Sequence, residues 1–358
     1  MEFRVGSFNV ENLFDRAKVL NLADHSLGDD KMARIAQLNQ ELGREVYDKE
    51  KIIELYGLVK DYITFNIMRS SIGKYVIKKQ GDSYVVKAGG QADWDGCITF
   101  RREKFSDDCR KNTAKVIREV GADIICMIEV ENRPVMDSFN SERLNRRYGH
   151  NILIDGNDQR GIDVGVYSRF PLGDVRTNIF DGTAQSRTFS RDCLECQILL
   201  TGGRILHLLV NHFKSKSGVA AAGDARRQRQ AARVNEIIDE RYDLEHDLVI
   251  VAGDFNDAPD STPLAPLLTN PRLHDVLAAI YPDQPEERWT YHYRANEQID
   301  FILVSDPLLE ALRDAGVERR GIAGVEEYTD GRINSFSTVT NWRNAASDHG
   351  AVWADFRL

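Results

Sequence analysis

The chain has 358 residues, with 47 Lys and Arg against 56 Asp and Glu, a net charge of −9, 42% hydrophobic and 29% charged residues. At about 150 residues per domain this allows roughly two domains or one large α/β domain. The balance excludes intrinsic disorder, a collagen-like repeat and a disulfide scaffold. The longest apolar runs, such as residues 248–252, fall far short of the ~20 residues that a membrane helix needs. The N-terminus enters a strand within a few residues, with no basic stretch followed by an apolar one, so no secretory signal is expected and the cytoplasm is the expected compartment. Five cysteines are an odd count, which in a reducing compartment means free thiols. Cys193 and Cys196 lie in what reads as a strand, where an odd separation sends them to opposite faces. Zinc needs about four converging ligands and no second pair exists, so buried thiols are expected.

Residues 3–10 read as a strand and residues 108–120 as a helix, with Asp107 or Asp108 at its start, Ile117 and Val120 at helical spacing and Gly121 at its end. Residues 122–128 form a near-continuous apolar run, as in a strand covered on both sheet faces. Short strands are expected at 165–168, 196–200, 205–211, 248–252, 299–304 and 351–356. A helix is expected at 224–242, with Ala231, Val234 and Ile238 along one face. Many strands with a few interleaved helices imply two packed sheets flanked by helices. Residues 38–107 fit this rhythm poorly. They carry an expected helix at 48–66 and a hairpin pairing 74–77 with 84–86 across 80–82, and they read as an insertion or lid on one domain spanning 1–358.

Four polar signatures stand at the ends of expected strands: Ser7-Phe8-Asn9, Glu129-Val130-Glu131-Asn132, Asp254-Phe255-Asn256 and Ser347-Asp348-His349. Strand ends open onto loops, where polar groups converge without entering the core. These are hard oxygen donors with one imidazole, a set that suits Mg²⁺ or Mn²⁺ and not zinc. Asp254 and Asn256, two apart in an extended segment, project to the same side and address one small volume, where one holds or activates water and the other bonds a phosphate oxygen. An Asx turn leading into residues 257–261 explains the same residues equally well. Asp348 beside His349 pairs a metal ligand with a general acid or base of near-neutral pKa. Asp300, set among strand apolars, is the carboxylate to fix that ring, since a polar residue there is otherwise expensive. His212 ends another strand, and a lone histidine is more often structural. The other six histidines, apart from His212 and His349, read as core or surface.

The order and wording of seven signatures resemble the endonuclease/exonuclease/phosphatase superfamily, whose fold is that of DNase I. They are residues 7–10, 128–132, 160–169, 211–216, 253–257, 299–305 and 347–350, spanning nearly the whole chain. The resemblance implies an α+β, four-layer sandwich of two packed, mainly antiparallel or mixed sheets flanked by helices. It implies that Asn9, Glu129 and Asp348 bind Mg²⁺ or Mn²⁺, with Glu129 the principal ligand. Asp254 would orient or deprotonate the attacking water and Asn256 would hold the phosphate. His349, oriented by Asp300, would bond the phosphate or act as acid or base, and His212 would bind it from the other side, oriented by Asp163. Lys214, Lys216 and Arg160 would contact substrate. The departure is the 117 positions separating Asn12 from Glu129, longer than the family's strand-helix-strand unit needs, which bears on substrate access.

A phosphodiester repels hydroxide and gathers charge in the transition state, so metal and aimed donors must offset it; removing one donor typically costs ~3 kcal/mol, about 100-fold in rate. Between residues 212 and 233 six basic residues, Lys214, Lys216, Arg226, Arg227, Arg229 and Arg233, face one acid, Asp224. They read equally well as contacts to flanking phosphates or as a solvated helix face. Residues 253–310 hold 11 acids against Arg272, Arg288 and Arg294, which favours cations. The leading expectation is a metal-dependent phosphodiesterase acting on nucleic acid, an endonuclease. The alternative is a phosphatase or phosphodiesterase for a phosphorylated lipid or small molecule, and a third reading is a binding module with a degenerate site. Fold and motifs do not separate the first two.

Overall fold

The apolar runs pair into two six-stranded mixed sheets. The computed structural model describes residues 1–13, 17–21, 25–67, 76–94, 96–102, 107–158, 161–183, 185–216 and 220–358. Contacts divide the chain into two units, Met1–Phe14 with Ser106–Leu358, and Asp15–Phe105.

The first strand, β1, is Glu2–Leu13. The unit that follows it in sequence holds helices α1 (His25–Leu42) and α2 (Lys49–Val59) and two small antiparallel pairs. These are β2 (Ile63–Ile67) with β5 (Gly96–Phe100), and β3 (Ile77–Gln80) with β4 (Ser83–Val86). Its own core gathers Ile35, Leu38, Ile52, Leu55, Val59, Ile63 and Val76. Two expectations change here. The helix expected at 48–66 stops at Val59, and Ile63, Thr64 and Ile67, whose β-branched side chains favour a pleated backbone, form a strand. The hairpin turns tightly at Gly81-Asp82, with Gly81 at φ 61, which shifts its first strand to 77–80; Lys74 and Tyr75 lie outside the described residues. The unit begins at Asp15, so it includes α1, which sequence periodicity did not mark.

The larger unit continues with α3 (Asp107–Val120), β6 (Ile124–Val130), α4 (Arg133–Arg143), β7 (His150–Leu153), β8 (Asp163–Ser168), β9 (Leu172–Arg176) and the short pair β10 (Gly182–Thr183) and β11 (Ser186–Arg187). Then come β12 (Cys193–Leu199), β13 (Ile205–His212), α5 (Ala220–Arg241), β14 (Leu248–Asp254) and β15 (His274–Asp275). A second small pair, β16 (Tyr291–His292) and β17 (Asn296–Glu297), precedes β18 (Asp300–Val304), β19 (Leu312–Glu318) and β20 (Ala351–Arg357). One sheet runs β19-β20-β1-β6-β8-β7 and the other β15-β18-β14-β13-β12-β9.

Strand alternation builds the layers. From β6, Ile124, Cys126 and Ile128 meet Leu194, Cys196, Leu208, Val210, Ile250 and Ile302 of the other sheet in the central core. Ile125 and Met127 turn the opposite way, against Ile117 and Val120 of α3 and Met136 and Phe139 of α4. On the far side, Leu209, Val249, Val251 and Phe301 pack on Ala231, Val234 and Ile238 of α5. The result is the helix-sheet-sheet-helix sandwich. Cys193 and Cys196 are free and buried in different cores, as an odd separation requires. Among the described residues no helix is long and apolar enough to cross a membrane.

Packing two apolar faces leaves the strand ends to the polar residues. β1 and β6 run parallel, so Asn9 and Ile128 are register partners and Glu129 follows immediately. β13 and β14 run parallel with His212 opposite Asp254, and β18, antiparallel, puts Asp300 beside Asp254. Gly253 permits this register: its φ is 139, and a Cβ there would stand 1.9 Å from the Asn211 carbonyl oxygen. Gly253→Ala is expected to destabilise the protein by about 3 kcal/mol. Urea denaturation checks this; an unchanged midpoint would show that the strands tolerate the shift.

Candidate active site

Asp254 is the floor of a cleft of about 590 Å³ at these strand ends. Its Oδ1 accepts the Asn256 backbone N–H at 2.8 Å, and its Oδ2 accepts the amide groups of Asn9 at 3.1 Å and Asn256 at 3.0 Å. The Asn9 bond joins the two sheets. His212 Nε2 stands 3.5 Å from Asp254 Oδ2 and 3.8 Å from Glu129 Oε1. On the opposite side His349 Nδ1 donates to Asp300 Oδ2 at 2.8 Å, and Thr290 Oγ1 donates to the same oxygen at 2.7 Å. That pairing fixes the ring and leaves Nε2 as its other polar atom, 3.7 Å from Asp348 Oδ1.

The loops that present these groups are locked together. Ser347 Oγ donates to the Asn9 carbonyl at 2.7 Å and accepts the His349 N–H at 3.0 Å. Glu11 accepts the Asp348 N–H at 3.0 Å, while its own N–H donates to Asn9 Oδ1 at 3.0 Å. Glu11, Glu129 and Asn256 take left-handed backbone, with φ of 45, 67 and 56. Such strain in non-glycine residues concentrates at functional sites and re-aims side chains where a strand ends.

Burial, and next the Asp300 charge, push the Asp254 carboxyl up to about 7. Burial and then Asp348 raise Glu11 to about 7, and burial raises Glu129. For His349 burial pulls downward, but Asp300 and Asp348 outweigh it and hold the imidazole well above its ordinary value. A deep cleft crowded with carboxylates is a site for positive charge.

Asn9, Glu129, His212, Lys216, Asp254, Asn256, Asp348 and His349 all line the cleft, with Asp300 directly behind His349. Both Asn256 amide hydrogens are engaged, one on Asp254 and one on the Phe213 carbonyl at 3.2 Å, so this geometry has Asn256 positioning Asp254. Lys216 bonds Glu297 at 2.8 Å. Lys214 is not among the described lining residues; its ammonium donates to the Ser215 carbonyl at 3.0 Å. Asp163 is also not a lining residue. It accepts the Gly156 N–H at 2.8 Å, and burial pushes it up to about 7. Arg160 lies outside the described residues. In the basic stretch, Arg227 pairs with Asp257 and Asp224, and Arg233 with Asp181, Glu236 and Glu240, so much of its charge is spent internally.

Sequence reasoning missed Glu11, Thr290, Tyr291 and Arg191. Tyr291 packs on His349 with ring centroids 4.8 Å apart. Arg191 is buried in the cleft wall, 3.1 Å from Asp158. Only Glu11 carried a signal, an acid two residues beyond Asn9 in the same strand.

Among the described residues, Asp254, Asp300 and His349 form a group whose possible metal-ligand atoms lie within 4.8 Å of one another. Its hydrogen bonds join it as a histidine-carboxylate pair: buried Asp300 accepts from His349 and Thr290 through Oδ2, while its Oδ1 has no hydrogen-bond partner. Glu129 and the half-exposed Asp348, with the second lone pair of Asn9 Oδ1, make the set of hard oxygens that fits Mg²⁺ or Mn²⁺.

A search of curated proteins finds no match. Among solved structures, the chain is similar to the human Nocturnin catalytic domain with bound sulfate, at 17% identity and TM-score 0.52 over 70% of this chain and 86% of that one. It is similar to an AP endonuclease from Archaeoglobus fulgidus, at 17% and 0.51 over 68% and 93%. It is also similar to D. rerio TDP2 complexed with a single-strand DNA product, at 16% and 0.51 over 70% and 92%. At these identities the likeness establishes the DNase I-like fold. The model of the endonuclease/exonuclease/phosphatase family matches residues 65–349, and the chain belongs to that family.

Proposed function

We propose that the protein is a divalent-metal-dependent phosphodiesterase that cuts nucleic acid internally. The observation that carries this reading is the convergence of Asn9, Glu129, His212, Asp254, Asp348 and His349, from both sheets, on one cleft. A Mg²⁺ or Mn²⁺ ion held by Asn9, Glu129 and Asp348 would supply the positive charge that a phosphodiester needs in its transition state.

The residues of the chain divide the remaining work. Asp254, raised to about 7 by burial and held by three N–H groups, is poised to take the proton of the attacking water near neutral pH. His212 and His349 flank the position where phosphorus would sit. His349, with Nδ1 on Asp300, keeps Nε2 for a phosphate oxygen or the leaving oxygen. Residues 15–105 are then an insertion in the sequence of a single catalytic domain, between its first strand and first helix.

One observation favours the second reading, a phosphatase or phosphodiesterase for a phosphorylated small molecule. The cleft's ~590 Å³ lies in the range of small-ligand pockets. Release of inorganic phosphate from phosphomonoesters, measured beside cleavage of DNA and RNA, decides between the two.

Internal cleavage of a nucleic-acid strand should require Mg²⁺ or Mn²⁺ and stop with EDTA. Asp254→Ala and His349→Ala should each lower kcat at least about 100-fold, and robust cleavage by either folded variant would overturn its role. Asp300→Asn, which disturbs the His349 tautomer while keeping the shape, should cost about 100-fold or more in kcat with little change in thermal stability.

Metal uptake should also move protons. Glu11 and Asp254, raised to about 7, are largely protonated below that pH, and a neighbouring cation pulls their pKa values down. Binding at pH 6.5 therefore releases protons, and affinity rises as pH goes from 6 to 8. Calorimetry in buffers of different ionisation enthalpy reads the release directly; binding without proton release would contradict the assignment.

A further inference from the structure

We infer that the rim of the cleft is a stacking track for unpaired bases, so that the substrate is single-stranded nucleic acid. This rests on the phosphodiesterase reading above and adds its substrate class. In the larger unit the exposed large hydrophobic side chains among the described residues are Phe180, Leu199, Ile205, Tyr293 and Trp342. Leu199 and Ile205 are register partners at the end of β12 and β13 away from His212. All three aromatics stand at the catalytic end.

Phe180 is in the loop joining β9 to β12, which returns to Cys193, the register partner of Asn211 beside His212. Tyr293 is at the tip of the β16-β17 hairpin and lines the cleft itself. Trp342 lies in the segment that leads directly into Ser347, Asp348 and His349. The three are 68%, 71% and 71% exposed, far more than large aromatic side chains ordinarily are.

Each ring also carries an arginine. Arg187 lies 5.4 Å from the Phe180 ring centroid, Arg294 5.5 Å from Tyr293 and Arg343 4.7 Å from Trp342. None of these guanidinium groups pairs with a carboxylate among the described residues, unlike Arg227 and Arg233 of the basic stretch. Arg187 also donates to the Phe180 carbonyl at 2.6 Å, which holds it beside that ring. An aromatic face with a cation beside it that no carboxylate neutralises offers one surface for a base and donors for the adjoining phosphate.

Duplex ends this match, because its bases are stacked on one another and present only their edges in the grooves. A duplex grip would instead need rows of free cations. The cation lining the cleft beside the hairpin, Lys216, is already bonded to Glu297 and 3.5 Å from Asp257. A single strand supplies the missing π-faces and asks for few phosphate contacts.

The test compares two substrates with Mg²⁺: a twelve-nucleotide oligothymidylate and methyl p-nitrophenyl phosphate, which has a diester but no base. In the full chain, Phe180→Ala, Tyr293→Ala and Trp342→Ala together should lower kcat/KM for the oligonucleotide at least about tenfold, mainly through KM. Turnover of the small diester, which offers one aromatic ring and no strand, should fall much less, by at most about threefold. Aromatic replacements, Phe180→Tyr, Tyr293→Phe and Trp342→Phe, should restore the oligonucleotide rate, and annealing a complementary strand should lower it about tenfold. Unchanged oligonucleotide kinetics in the triple alanine variant, preference for the duplex, or equal losses on both substrates would overturn the inference. Turnover of neither substrate by the unmutated protein would instead sink the hydrolase reading, and anisotropy of a labelled oligothymidylate would still report whether the three rings bind it.

Discussion

The hydrogen bond from Asn9 to Asp254 is where the two sheets become one site. Each sheet is held by its own ladder, and their faces are joined by aliphatic packing that has no directional preference. That packing brings strand ends near each other without fixing them to the tolerance that chemistry needs. Asn9 from one sheet and Asp254 from the other are both buried, and their 3.1 Å contact converts approximate adjacency into a defined position. The other polar links reinforce it. Ser347 ties the His349 loop to the Asn9 carbonyl, and Glu11 ties the Asp348 backbone to the same strand end.

This arrangement works against stability and is kept only because the layers around it are extensive. Three left-handed non-glycine residues cost of order 1–3 kcal/mol each. The partly buried carboxyls of Glu11 and Glu129 and the buried one of Asp254 are held above their ordinary pKa values, so the folded state disfavours the charged form that a cation would use. Burial of Phe213, Phe255 and Phe301, which stack in succession at 4.8 and 4.9 Å, provides a stiff apolar support immediately beneath Asp254 and Asn256. The strain therefore sits on rigid strands while the loops carry the exposed rim.

Much of the sandwich was legible because both periodicities act locally. The run 124–128 alternates between two cores, and Ala231, Val234 and Ile238 share a helix face, so burial follows from spacing. The polar strand ends were legible from position: Asp254 closes an apolar run, His349 stands just before another, and Asp300 sits at the start of a run of strand apolars, where a polar residue is otherwise expensive. What escaped was nonlocal. Glu11 matters through the backbone of Asp348, 337 positions away, and Thr290 through Asp300. The helix expected at 48–66 failed because charged residues continue past Val59 while β-branched ones begin at Ile63, and tertiary pairing with β5 decides the outcome. Asn256 was placed on its type, whereas its two occupied amide hydrogens place it on Asp254.

The same contrast explains why net charge was a poor guide to substrate. Counting from His212 to Arg233 suggests a basic surface, but Arg227 and Arg233 are consumed by neighbouring acids, and Arg227 is almost wholly buried. Arg187, Arg294 and Arg343, which no carboxylate pairs with among the described residues, are scattered singly through the chain and escape any windowed sum. Their common property is an aromatic neighbour on a loop at the catalytic end. A cleft floor crowded with carboxylates repels polyanions at long range. On the reading proposed above, recognition at its rim depends more on contact surface than on field, and planar rings beside single guanidinium groups would supply it.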